Sequence, residues 1–131
     1  MQSETLRDTV RQEEVKWSMI LFMIDSRGRT RIGETVKAVM AWEGYTGVGI
    51  DSTGRVSRAT INRAKRGDQI SNTMLRALGD ALGLPRDYLL YVGAGDVHKI
   101  EASGADPDLI RWTVDLILSS EDQGEAATGN V

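Results

Sequence analysis

Between Ile32 and Val92 the chain is broken at short intervals by residues that start and stop helices, and this constrains its fold more than any other feature. Gly44 follows one stretch with helical apolar spacing and Thr46 precedes the next. Ser57 and Gly67 bracket a third, Ser71 and Gly83 a fourth, and Pro85 opens a fifth. Serine and threonine side chains accept hydrogen bonds from the unpaired N–H groups of a helix start, and glycine adopts the left-handed backbone that ends one. Proline is tolerated in the first turn, where its missing N–H costs nothing. The pattern predicts an all-α chain of short helices joined by tight turns.

Apolar spacing assigns each helix a buried face. Residues 33–43 place Val36, Val39 and Met40 at i, i+3 and i+4, ahead of the stop at Gly44. A second helix runs from the Thr46 cap to about Thr53, and its two glycines make it weak. The third spans Arg58 to Arg66. The fourth spans Asn72 to Leu82, with Leu75, Leu78 and Leu82 on one face. The fifth runs from Pro85 to about Tyr91. Gly93, Gly95 and Gly104 mark a flexible connector. Asp106 caps a last helix with Pro107 in its first turn, and Leu109, Ile110, Thr113, Val114, Ile117 and Leu118 supply its apolar face. Residues 119–131 are small and polar and read as a disordered tail. At the other end, residues 3–24 read as a helix carrying Leu6, Val10, Trp17, Leu21 and Ile24; a strand over 17–24 that turns at Asp25-Ser26-Arg27-Gly28 is the alternative. The expected organisation is an N-terminal extension (1–31), a helical domain (32–92), and a connector, amphipathic helix (about 106–118) and tail (93–131).

Charge is unevenly distributed. The net formal charge is −3. Residues 27–67 nevertheless hold nine basic and three acidic side chains, a net of +6, between a segment of −2 before and one of −7 after. A basic middle between acidic flanks is a local footprint for an anionic partner, and local field governs docking more than the total does. Other chemistries are poorly provided for. There is no cysteine, so disulfides, thiolate metal sites and cysteine nucleophiles are excluded. His98 is the only histidine and reads as an ordinary polar residue of the connector. The acids Asp80, Asp87, Asp96, Asp106 and Asp108 lack ligand spacing. Gly93-Ala94-Gly95 does not follow a strand as a dinucleotide fingerprint would. No paired acid and base, nucleophile or metal set is visible, so no enzyme, cofactor, metal or small-molecule substrate is expected. The apolar run Trp17–Ile24 is too short to span a bilayer, and no cleavage site follows it, so an intracellular, cytoplasmic location is expected. Trp17, Trp42 and Trp112 read as packing residues.

The stretch IGETVKAVMAWEGYTGVGIDSTGRVSRATINRAKRG resembles the Xre/Cro/cI (lambda-repressor-like) helix-turn-helix family, from its first helix through its recognition helix, without a gap. In that alignment Gly44 falls on the glycine that ends helix 1, Thr46 on the cap of helix 2, and Ile50 on that helix's buried leucine. Val56-Ser57 is the turn, Arg58-Ala59-Thr60-Ile61 opens the recognition helix, and Arg66-Gly67 closes it. LRALGDALGLPRDYLL is similar to the fourth and fifth helices. The resemblance covers roughly half of the chain and implies a five-helix DNA-binding domain.

It also assigns roles. Val56 and Ile61 hold the third helix against its neighbours. With Ile61 facing inward, Arg58, Ala59, Asn62, Arg63 and Arg66 lie on its other faces. Arg58 can then donate bidentately to guanine, Asn62 can pair with adenine, and Ala59 can meet a thymine methyl. Thr60, Lys65 and Arg66 suit phosphates, and Thr46, Gly47, Arg55 and Ser57 complete the expected contact set. Three positions depart from the family. Gly47 stands where a glutamine often braces the recognition helix, Asp51 replaces a small buried alanine, and Arg55 occupies the usual turn glycine, which leaves Gly54 to take the positive φ. Helix 2 is therefore expected to be short or irregular. The implied function is a sequence-specific transcriptional regulator, a repressor of the phage immunity type, acting on a double-stranded operator as a homodimer, with a monomer as the alternative. An antitoxin-like regulator and a protein-interaction module without DNA are the other readings.

Overall fold

A computed structural model describes residues 24–51 and 54–129. The described residues form seven helices and no strand: α1 (Ser26–Glu43), α2 (Gly47–Asp51), α3 (Arg58–Arg66), α4 (Asn72–Ala81), α5 (Tyr88–Ala94), α6 (Val97–Glu101) and α7 (Pro107–Gly129). The helix or strand expected before Ile24 lies outside them.

The caps act as the sequence predicts. Thr46 Oγ1 accepts from Gly49 N at 3.0 Å, Ser57 Oγ from Thr60 N at 3.2 Å and Ser71 Oγ from Met74 N at 3.2 Å. Gly44 and Gly67 adopt left-handed φ of 71° and 80° and stop α1 and α3. Asp106 Oδ1 accepts from Asp108 N at 2.8 Å at the head of α7.

Other boundaries differ from expectation, each for a physical reason. Asp25 to Gly28 is not a turn between strands. Asp25 is the N-cap of α1, accepting from Gly28 N at 2.8 Å, so this helix starts well before Gly33. The expected boundary after residue 31 therefore falls inside α1. Pro85 does not sit in the first turn of α5; Asp87 caps that helix at φ 64°, and Arg76 Nε reaches its Oδ1 at 2.7 Å. Gly93 belongs to α5 and is buried, and the rest of the expected connector folds in part as α6, started by Asp96 accepting from Lys99 N at 3.1 Å. His98 is exposed on α6. Residues 119–129, expected to be a disordered tail, continue α7.

α1 is the central element. It crosses α3 and α5 and also meets α7, while α5 packs on α4 and α6. Val36, Val39, Ile61, Leu75, Leu78, Tyr88, Leu89, Leu90, Val92, Ile100 and Ile117 are each at most 3% exposed and form one core. Two crossings depend on absent side chains. A Cβ on Gly33 would stand 2.8 Å from the Ala64 carbonyl oxygen and 2.9 Å from that of Lys65, so glycine sets the α1–α3 spacing. A Cβ on Gly28 would collide with the Gly93 carbonyl oxygen, which sets the α1–α5 spacing.

Two buried polar groups tie α7 to this body. Arg31, 7% exposed, donates from Nε to Val92 O at 3.0 Å, from Nη2 to Gly93 O at 3.0 Å and from Nη1 to Ser120 Oγ at 3.1 Å. Its charge thus rests on the C-terminal carbonyls of α5, where a cation is favoured. Burial lowers its pKa, against the attraction of Asp25 and Glu121. Thr113 donates to Leu109 O at 2.8 Å, so its one proton is committed and Tyr88 must donate to Thr113 Oγ1 at 2.7 Å. The stripe Leu109, Thr113 and Ile117 of α7 is buried within its own chain. Ile110 and Val114 are half-buried and Leu118 is 47% exposed, which leaves a second stripe toward solvent.

Candidate functional site

The expected contact residues lie on or beside α3, so the site is built from what holds that helix. Ile61 and Ala64, each 1% exposed, face the core, and Val56 at 2% anchors the turn before them. Gly33 brings α1 close beneath the last turn. With the inner face fixed, Arg58, Ala59, Asn62, Arg63 and Arg66 are exposed and Thr60 and Lys65 are half-buried. The five exposed residues lie on the outer side of the helix, as the position of Ile61 requires, and Thr60 and Lys65 flank it.

Neighbouring elements extend the surface. Gly54 takes φ 74°, so Arg55 is spared that conformation and stands exposed in the turn. Thr46 is exposed and Gly47 half-buried at the start of α2. A Cβ on Gly47 would lie 3.6 Å from Arg58 Cγ, so the Arg58 stem covers the glycine. Ile50 is 4% exposed and anchors α2 to the core. Asp51 ends α2, and its side chain lies outside the description. Val48 on α2 is 62% exposed.

Ser57 Oγ satisfies the Thr60 N–H, and Ile61 N returns to Ser57 O at 3.1 Å, which closes the first turn of α3. Such a helix start favours an anion. Ser57 and Thr60 hydroxyls also lie 3.1 Å apart.

The basic footprint read from the sequence divides on folding. Arg31 is buried in the core. Arg29 donates from Nε to Gly67 O at 3.1 Å and from Nη1 to Ile24 O at 3.0 Å, so it fastens the end of α3 to the start of α1. Arg63 Nη2 donates to Gln69 O at 2.8 Å, and Arg66 pairs with Asp68 at 3.0 Å. Both partners of that pair are well exposed, so it contributes little and can yield to a competing anion. Lys37 pairs with Glu34 at 3.3 Å.

A groove between α1 and α3 was not anticipated. Thr30, Glu34 and Lys37 line one wall, and Asn62, Lys65 and Arg66 the other. Glu34 and Lys37 of its α1 wall fall in the helix expected over 33–43, whereas Thr30 lies in the part of α1 before Gly33 that was not expected. Asn62 and Lys65 open onto this groove; Arg58 lies toward α2. Among the described residues no cluster of three or more His, Asp or Glu side chains could hold a metal ion, and no described helix is long and apolar enough to cross a membrane.

Comparison of the chain with protein families, curated proteins and solved structures finds no match.

Proposed function

We propose that α1 to α5 form a lambda-repressor-like helix-turn-helix domain and that the chain is a sequence-specific, DNA-binding transcriptional regulator of the repressor type. The observation that carries the reading is the outer side of α3. Three arginines, an asparagine and an alanine stand exposed behind a Ser57-capped start, on a helix pinned by Ile61 and Ala64. Exposure and chemistry coincide there: guanidinium and carboxamide groups read base edges in a major groove, and small side chains meet thymine methyls. Ser57, Thr60, Lys65 and Arg66 suit phosphates on either side, with Thr46, Gly47 and Arg55 at the α2 edge. The proposed partner is a double-stranded operator, read by two copies of the chain.

Selection of bound sites from a random DNA pool tests this directly. A recovered motif should lose preference at one or two positions on Arg58→Ala or Asn62→Ala, each weakening binding by ~1–3 kcal/mol. Lys65→Ala should instead weaken all sequences alike and reduce the salt slope by about one. A pool that yields no motif, with no salt-dependent binding, would return the surface to the reading of a protein-interaction module.

A further inference from the structure

Trp42 closes α1 but does not enter the core: it is 55% exposed, and Tyr45 just after it is 39% exposed. This departs from the expectation that the tryptophans only pack. Trp42 meets Trp112 of α7 edge-to-face, with centroids 5.3 Å apart and planes at 83°. Edge-on packing leaves the faces of the ring that supplies the edge uncovered by its partner. The three rings border a groove of about 620 Å³ between the end of α1, the α4–α5 loop and the head of α7. Val39, Leu82 and Leu109 make its apolar floor. A volume of this size suits a small organic molecule.

The charged side chains lining the groove are all acidic: Glu43, Asp106 and Asp108. Asp108 has a long, exposed contact to Arg111 at 3.8 Å, which does little to neutralise it, and Asp106 keeps its carboxylate at the α7 cap. Aromatic faces and carboxylates attract the same kind of ligand. Ring quadrupoles favour a cation over an apolar body of the same shape, and the carboxylates do so more strongly. The same pairing already occurs elsewhere in this fold, where Lys99 Nζ lies 5.4 Å from the Tyr91 ring centroid.

We infer that the Trp42–Tyr45–Trp112 groove is a binding site for a small organic ammonium ligand with an apolar or aromatic body. The site is separate from the α3 surface and stands whether or not that surface reads DNA.

The test is a titration of the full chain, without DNA, by three probes that share a phenyl body and differ in charge: 2-phenylethylammonium, 2-phenylethanol and 3-phenylpropionate. The readout is the indole N–H resonances of Trp42 and Trp112, assigned with Trp42→Phe and Trp112→Phe. The ammonium should move both resonances and bind at least about fivefold more tightly than the alcohol, with the carboxylate weakest. Glu43→Gln combined with Asp106→Asn, which keeps a capping side chain, should remove most of that preference while the alcohol binds as before. Equal affinity for ammonium and alcohol would overturn the assignment and leave the groove an apolar contact surface for another protein or a second copy. So would the absence of any shift, or an unchanged ammonium preference in the double variant.

Discussion

Single residues divide here into those that hold α3 and those that use it. Ile61 is 1% exposed between α3 and the core. Ile61→Asp would bury a carboxylate with no partner, costing on the order of several kcal/mol against a total stability of roughly 5–15 kcal/mol. Thermal melting should find the variant largely unfolded; an unchanged melting temperature would mean that α3 is rotated from its described position. Tyr88 gives a test through pH. Burial raises its pKa above the ordinary tyrosine value, and Thr113 could offset this only by turning its proton from Leu109 to a phenolate. Because the folded value exceeds the unfolded one, the stabilisation by the neutral phenol is complete below about pH 10 and is lost as pH rises through the raised value. Tyr88→Phe should cost about 1 kcal/mol at neutral pH, since Thr113 keeps its bond to Leu109. Melts across the alkaline range should show a shallower decline for the variant than for the parent chain. A parallel decline would mean that another group titrates.

At the level of elements, the spacing of α1 and α3 controls the outer surface. Gly33→Ala brings two opposing effects. Alanine favours a helix interior by up to about 1 kcal/mol, while overpacking costs typically 1–3 kcal/mol. The opposing atoms are the backbone carbonyls of Ala64 and Lys65, which move only if α3 moves, so overpacking should dominate. The expected result is a net loss of about 1 kcal/mol or more in denaturant unfolding; a stabilised variant would show that α3 has room to shift. These elements were legible in the sequence where the signal was local. Ser57, Gly67, Ser71 and Gly44 act through groups a few residues away, and the periodic faces of α3 and α4 need only one buried side. Ile61 inward was therefore enough to sort Arg58, Asn62 and Arg63 outward. What escaped the reading depends on distant partners. Gly28 and Gly33 look like weak helix residues until Gly93 and Ala64 lie against them. Arg31 looks like part of a basic surface until the end of α5 covers it. Arg63 and Arg66 counted as unengaged cations, yet the loop after α3 supplies them with Gln69 O and Asp68. The glycines at 93 and 95 suggested a connector, whereas one is a close-packed crossing and only the other, at φ 70°, ends a helix.

For the whole molecule, the described part of α7 is not an appendage. Leu109, Thr113 and Ile117 are buried in the same core as α1 and α5, so what α7 leaves for a second copy is the Ile110–Val114–Leu118 stripe. If the chain pairs on DNA as proposed, Leu118→Arg should leave the unfolding free energy within about 0.5 kcal/mol of the parent, as exposed substitutions do. It should also weaken assembly in sedimentation with a selected palindromic site. Equal assembly by both chains would place the interface elsewhere. The Arg31 anchor bears on how the chain matures. Its guanidinium bonds to a serine 89 positions away, beyond the α5 carbonyls 61 and 62 positions away. The chain emerges from the ribosome in order, so α1 to α5 are exposed before this third partner is. Until Ser120 emerges, the guanidinium has only the α5 carbonyls as partners, and a segment 89 positions downstream completes the burial that α1 and α5 begin.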